Sequence, residues 1–259
     1  MKKTADKIKK IVRDGYAKAI SQKSSCCSGS CCGSTDQAKD ISKKIGYSDS
    51  EINAVPEGAN LGFGCGNPVA IASLKEGDVV LDLGSGAGFD AFLAAQKVGE
   101  TGRVIGVDMT PEMIAKAEEN TKKGKYSNVE FRLGEIEKLP VKDNSIDVII
   151  SNCVINLSPE KPAVFKEAYR VLKSRGSLLV SDLVLVKKLS DKLRESVEAY
   201  VGCVAGAVMK DEYLRYFNDA GFQEVTVVSE ADYPVDAMFD GFEDMQGAVV
   251  SVKVRAVKR

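Results

Sequence analysis

The chain contains no histidine and no tryptophan, and only 7% of its residues are aromatic. Without histidine there is no Ser-His or Cys-His nucleophile pair and no histidine-ligated metal site. Chemistry must then rest on thiols, carboxylates, tyrosines, backbone groups and a bound cofactor. No apolar run approaches the roughly 18 residues that span a bilayer. The first residues carry Lys2, Lys3, Lys7, Lys9 and Lys10 in place of a signal-peptide core. The formal net charge of -1 at pH 7 lacks the basic field that nonspecific nucleic-acid binding needs. These absences lead us to expect a cytoplasmic protein that engages neither nucleic acid nor membrane.

What is present is ordinary in bulk. With 259 residues, 44% of them hydrophobic and 28% charged, the chain can bury roughly three quarters of its unfolded surface without staples. Seven cysteines, an odd number, argue against a structural disulfide framework in a chain of this kind.

Residues 1–20 read as one amphipathic helix, with Ile8, Ile11, Val12 and Tyr16 on one face and lysines on the other. A basic helix can lie on a membrane surface or dock on its own domain, and docking is the simpler expectation. Residues 24–35 (SSCCSGSCCGST) are small and polar with no period, so a flexible loop carrying four thiols is expected. A short polar helix is predicted over Lys39 to Glu51. Gly58, Gly62, Gly64 and Gly66 around Cys65, closed by Pro68, predict a close-packed loop.

Regular alternation follows. Strands are predicted at Val79–Leu83, Val104–Asp108, Val129–Leu133, Ile146–Ser151, Ser177–Val186, Glu224–Val228 and Val249–Val257. Helices are predicted at Gly88–Val98, Pro111–Lys123, Pro159–Lys173, Leu189–Tyr200 and Asp211–Ala220. Thr110 and Ser158 read as N-caps, each followed by proline at the first helical position. Such alternation implies βαβ units with right-handed crossovers and a parallel sheet. The last two strands, with no long helix between them, predict an antiparallel pair near the sheet edge. The fold class is therefore α/β and Rossmann-like. It comprises a mostly parallel seven-stranded sheet, helices on both faces and an antiparallel strand near the C-terminus. Three regions are expected: 1–60 as helix and thiol-rich arm, 61–188 as ligand-binding core, and 189–259 as the covering helices and last two strands.

The run from Val79 to Asp90 joins a strand, a glycine turn and a helix start. Glycines at 84, 86 and 88 let the backbone turn and let a ligand approach, and the helix N-terminus favours a carboxylate. Asp108 ends the next strand, placed to accept from ribose hydroxyls. A dinucleotide fingerprint needs glycine where Phe89 stands. The pattern, with Asp82 before it, instead resembles the first motif of class I S-adenosylmethionine methyltransferases. That resemblance implies a donor site built from Asp82, Gly84, Ser85, Gly86, Gly88, Asp108 and Met109. Gly134, Glu135 and Ile136 would flank the adenine, and Asn152 lies at the same rim. No aromatic-proline motif follows Ser151-Asn152-Cys153 to stack a flipped base.

Cys65, Cys153 and Cys203 each read, alone, as packing cysteines. The pairs Cys26-Cys27 and Cys31-Cys32 do not fit a core; a solvated tail or adventitious zinc binding are the plain explanations. Together, however, Asn60–Pro68, Asp82–Asp90, Ser151–Ser158 and Gly202–Gly206 resemble the arsenite methyltransferases, over most of the chain from about Cys31 through the helix after Cys203. The resemblance implies that Cys65, Cys153 and Cys203 ligate trivalent arsenic. It also implies an N-terminal redox cysteine, for which Cys32 is favoured and Cys31 is next. The expected methyl donor is S-adenosyl-L-methionine, the substrates arsenite or methylarsenite, and the reductant an external dithiol such as thioredoxin or a glutathione-type partner. No metal cofactor is expected. Two other functions remain open: a small-molecule C- or O-methyltransferase with structural thiols, and a thiol-based metalloid-sequestering protein.

Overall fold

Val79, Val80, Leu81 and Leu83 surround one acid, the pattern of a strand buried on both faces. The computed structural model describes residues 4–22, 35–233 and 247–259. It places this strand, β1 (Val79–Leu83), inside a seven-stranded sheet with β2 (Arg103–Asp108), β3 (Val129–Leu133), β4 (Ile146–Asn152), β5 (Leu172–Leu185), β6 (Gln223–Asp232) and β7 (Val249–Val257). The order is β3-β2-β1-β4-β5-β7-β6. Strands β1 to β5 pair in parallel, and β7 runs antiparallel to both β5 and β6. The expected sheet and its antiparallel C-terminal pair are both present.

Strand side chains alternate between faces, and the core follows that period. Val80, Val104, Val148, Ile150 and Leu179 join one buried cluster with α4 (Phe89–Val98). Their neighbours Leu81, Ile105, Ile149, Leu178 and Val180 join another with α6 (Lys161–Val171) and α9 (Lys210–Asp219), which are anchored by Phe165, Tyr213 and Phe217. A third cluster sits beyond the strand ends. There Val12 of α1 (Ala5–Gln22) meets Leu157, Leu183, Leu193, Cys65, Cys153 and Cys203. The N-terminal helix is thus docked on its own domain.

Three expected helices begin or break elsewhere. The stretch 39–51 is two helices, α2 (Thr35–Lys44) and α3 (Asp49–Asn53). Gly46 takes φ +103° between them, and Ser48 and Glu51 form a reciprocal capping box. Likewise 189–200 divides into α7 (Asp191–Glu195) and α8 (Val197–Val201), because Ser196 is extended and caps Ala199 N at 3.1 Å. Helix α6 begins at Lys161, two residues after the predicted start. Ser158 Oγ is occupied by Glu137 at 2.6 Å and accepts from Glu160 N, so the helix cannot start at Pro159. The remaining helix, α5 (Pro111–Gly124), begins after Thr110 as predicted, although the threonine side chain makes no capping bond. Among the described residues no helix is long and apolar enough to cross a membrane.

Candidate active site

In open α/β sheets ligands lie outside the carboxyl ends of the strands, where the strand order reverses. Here β1 is flanked by β2 and β4, and the chain winds outward from it in both directions. A cavity of about 800 Å³ opens at that rim. Two chemically different walls face it.

The first wall is carboxylate and backbone. Beyond β1, Gly84 has φ +65°, and a Cβ there would run into the Val154 side chain. Gly86 has φ +52°, a left-handed position where the backbone itself can face a ligand, and a Cβ there would make only an ordinary contact with Met113 Sδ at 3.9 Å. Asp108, at the end of β2, accepts from Gly86 N at 3.0 Å and Thr110 N at 2.8 Å. It therefore ties the glycine turn to the neighbouring strand. Asp82 is 2% exposed, and its Oδ2 has no hydrogen-bond partner among the described residues. Burial first, then the nearby Asp90 and Asp108, push its carboxyl well above the usual range. Asp90 is also buried and held at about 6. An orphaned carboxylate oxygen beside buried Asp90, half-buried Asp108 and a backbone cradle fits a cationic ligand bearing an ammonium group.

Asp82, Gly84, Ser85 and Gly86 line the cavity, as do Asp108 and Met109, Gly134 and Ile136, and Asn152. Two other residues singled out in the sequence are not among its lining. Gly88 caps α4, donating its N–H to Ser85 O at 2.9 Å. Glu135 is turned toward Lys9 of α1, at 2.8 Å.

The second wall is sulfur. Cys65, Cys153 and Cys203 are free, buried thiols, and all three line the same cavity. Cys203 Sγ donates to Cys153 O at 2.7 Å, and Cys65 Sγ to Ser181 O at 3.4 Å. Cys153 and Cys203 take φ of +56° and +66°, a backbone region that costs non-glycine residues on the order of 1 kcal/mol. Such strain at two of three clustered cysteines marks a site more readily than a packing core. Burial raises the Cys65 thiol to about 11. The hydrogen bond with Cys153, followed by burial, raises Cys203 well above its ordinary value. These thiols stay protonated at neutral pH. Cys32, together with Cys26, Cys27 and Cys31, lies outside the described residues.

Sequence reasoning missed what lies behind the sulfurs. The Asp182 carboxylate and the Cys65 and Cys153 sulfurs lie within 4.8 Å of one another. Asp182 accepts from Tyr213 Oη and Asn156 Nδ2, both at 2.9 Å, and from Leu183 N at 3.0 Å. Burial raises it to about 7 despite those donors. Nearby Lys161 donates to Asn156 O and Ser158 O, and burial lowers it to about 8. One signal was available: Asp182 is the only charge in the stretch 177–186, whose other residues are two serines and seven aliphatics. The cavity is also closed by parts that carried no motif. Lys9, Val12 and Tyr16 of α1 line it, with Tyr16 edge-on to Phe63 at 5.3 Å, and Ser229 to Tyr233 and Lys253 complete the rim.

A methyltransferase-domain family model matches residues 74–221. The arsenite methyltransferase of Halobacterium salinarum is 43% identical over 263 residues, covering 98% of this chain and 67% of that protein. That of Aquipseudomonas alcaligenes is 36% identical, covering 85% of this chain and 63% of that protein. The chain thus spans about two thirds of the length of these curated relatives. Among solved structures, an arsenic (III) S-adenosylmethionine methyltransferase from Chlamydomonas reinhardtii superposes with a TM-score of 0.66 at 33% identity, covering 84% of this chain and 72% of that one. The chain belongs to the methyltransferase-domain family and, within it, to the arsenite methyltransferases.

Proposed function

We propose that this protein transfers methyl groups from S-adenosylmethionine to trivalent arsenic held by Cys65, Cys153 and Cys203. One observation carries the reading: three free, buried thiols from distant stretches of chain line the same cavity as the orphaned Asp82. Trivalent arsenic is soft, and thiolate sulfur is the ligand such a centre prefers.

Loading is balanced in atoms and charge. Neutral arsenite carries three hydroxyls, and each protonated thiol replaces one, its proton leaving with that hydroxyl as water. Raised thiol pKa values suit this exchange, because no bare thiolate is left in a low-dielectric pocket before substrate arrives. Three sulfurs leave arsenic pyramidal, with a lone pair that serves as nucleophile, so no general base is needed. The donor, when bound, supplies an electrophilic methyl on a sulfonium. Asp82, Asp90 and Asp108 would hold its cationic amino-acid and ribose portions, and Gly134 and Ile136 would flank its adenine. The thiol wall's contribution is to hold the nucleophile in a near-attack position. Methyl transfer raises arsenic formally to the pentavalent state. A cysteine pair that returns two electrons becomes a disulfide, which thioredoxin or a glutathione-type reductant reopens. We assign the electron-donating thiol to Cys32. Free thiols of this kind fit the reducing cytoplasm.

The test is product analysis with arsenite, S-adenosylmethionine and a dithiol, run beside Cys153→Ser. Methylated arsenicals from the wild type and loss of more than about 100-fold in the variant are expected, since losing even an outer-shell partner at a metal site costs 10–100-fold. Undiminished methylation by Cys153→Ser would end the thiolate mechanism.

A further inference from the structure

Between the two walls stands one side chain bonded to both. Asn152 ends β4, immediately before Cys153. Its Oδ1 accepts from Cys65 N at 3.0 Å, and its Nδ2 donates to Gly66 O at 2.8 Å. The amide therefore grips the Cys65 peptide on both sides while its own backbone carries the next thiol. The fit is close, for a Cβ on Gly64 would lie 2.8 Å from Nδ2. The same nitrogen reaches Asp90 Oδ2 at 3.0 Å and Tyr47 Oη at 2.9 Å, and Tyr47 donates to Asp90 Oδ1 at 2.6 Å. Tyr47 and Asp90 are buried, and Asp90 faces the donor side of the cavity. Two N–H groups thus serve three acceptors, one of them a carboxylate on the donor wall.

We infer that Asn152 is a positioning residue that sets Cys65 against Cys153 and, through Asp90 and Tyr47, links that setting to donor occupancy. The inference rests on the proposed arsenic site, and its physical content is a coupling free energy between two ligands. A cation beside Asp90 competes for the carboxylate that shares the amide. The amide is then left to Gly66 and Tyr47, and the Cys65 loop is held more firmly. Asn152 touches no reacting atom in this scheme; it acts through Cys65.

A double-mutant cycle isolates that route. Arsenite affinity would be measured by calorimetry on the full chain for wild type, Asn152→Ala, Cys65→Ser and the double variant, with and without S-adenosylhomocysteine. Asn152→Ala should lose on the order of tenfold in arsenite affinity, a coupling typical of residues within one network. In the Cys65→Ser background the same change should cost about twofold or less. S-adenosylhomocysteine should tighten arsenite binding about fivefold or more in the wild type, and not in Asn152→Ala. Tyr47→Phe, which removes one hydroxyl and keeps the ring, should show the same pattern at smaller size. This gives a readout even if the alanine variant folds poorly. Losses that multiply in the double variant, or arsenite affinity indifferent to both Asn152→Ala and Tyr47→Phe, would overturn the positioning role. Persistence of the S-adenosylhomocysteine effect in both variants would overturn the link to the donor. Arsenite binding that ignores Cys65→Ser would instead overturn the arsenic site itself.

Discussion

The donor wall and the thiol wall of this cavity are built in opposite ways. The donor wall is local: Asp82, the glycine turn and Asp90 fall within twelve consecutive residues, 79–90, and Asp108 ends the adjacent strand. The thiol wall is assembled from afar, since the loop before β1, the end of β4 and the segment after α8 each contribute one sulfur. A local wall is held by turn geometry and short backbone bonds. A distributed wall is held only by packing and by hydrogen bonds that span the chain, such as Cys203 Sγ to Cys153 O across 50 positions. The two walls should therefore fail separately when ligands are removed and together only when the shared rim is disturbed.

The sharpest break is Cys203→Ser. Replacing a soft sulfur by a hard oxygen should weaken arsenite binding by more than about 100-fold, with S-adenosylhomocysteine affinity within about twofold of wild type by calorimetry. A parallel loss of both affinities would show that the walls are one unit. The converse is Asp82→Ala. Removing the buried carboxylate should cost S-adenosylhomocysteine about 30–100-fold, the scale of a desolvated charge pair losing one partner, while arsenite affinity on the thiols changes little.

A third change strikes the seam between the walls. Gly84 sits in a left-handed turn of the donor wall, yet its missing Cβ leaves room for Val154, the neighbour of Cys153. Gly84→Ala should cost about 2 kcal/mol by denaturant titration, from positive φ and overpacking combined. It should also weaken both ligands, unlike either single-wall variant. A stability change below about 0.5 kcal/mol would show that Val154 moves aside freely.

This asymmetry also explains what could be read in advance. Strands β1, β3 and β7 fall where alternation and apolar runs placed them, because their residues feel the sheet period directly. The glycine turn was legible for the same reason: its meaning lies within a few residues. The cysteine motifs were legible only by resemblance, since nothing local says that Cys65 and Cys203 line one cavity. What stayed hidden was non-local. Ser158 looked like a cap until Glu137 claimed its hydroxyl. Val12 looked like one residue on an amphipathic face, and it is 1% exposed in the cluster that holds the thiols. Asp90 passed as part of a motif, although its partners Tyr47 and Asn152 come from other parts of the chain.

Asp182 is the least legible element of the thiol wall, and it offers the subtlest test. Burial raises its carboxyl to about 7, well above the ordinary carboxylate value. Between the unfolded pKa of about 4 and the folded value, the native state binds more protons than the unfolded chain. The preference for folding is therefore fully present below about pH 4 and is lost as pH rises toward 7. Asp182→Asn keeps an acceptor for Asn156 and Leu183 but does not titrate. Wild type should lose about 2–3 kcal/mol of stability relative to Asp182→Asn between pH 5 and pH 8, measured by urea unfolding of the unliganded protein at each pH. Asp82→Asn, read the same way, would show whether the donor wall stores a charge penalty of the same sign, since its carboxyl is also raised by burial. Parallel stability curves for wild type and Asp182→Asn would mean that Tyr213, Asn156 and Leu183 keep the carboxylate ionised, and that the thiols lie over a fixed negative charge.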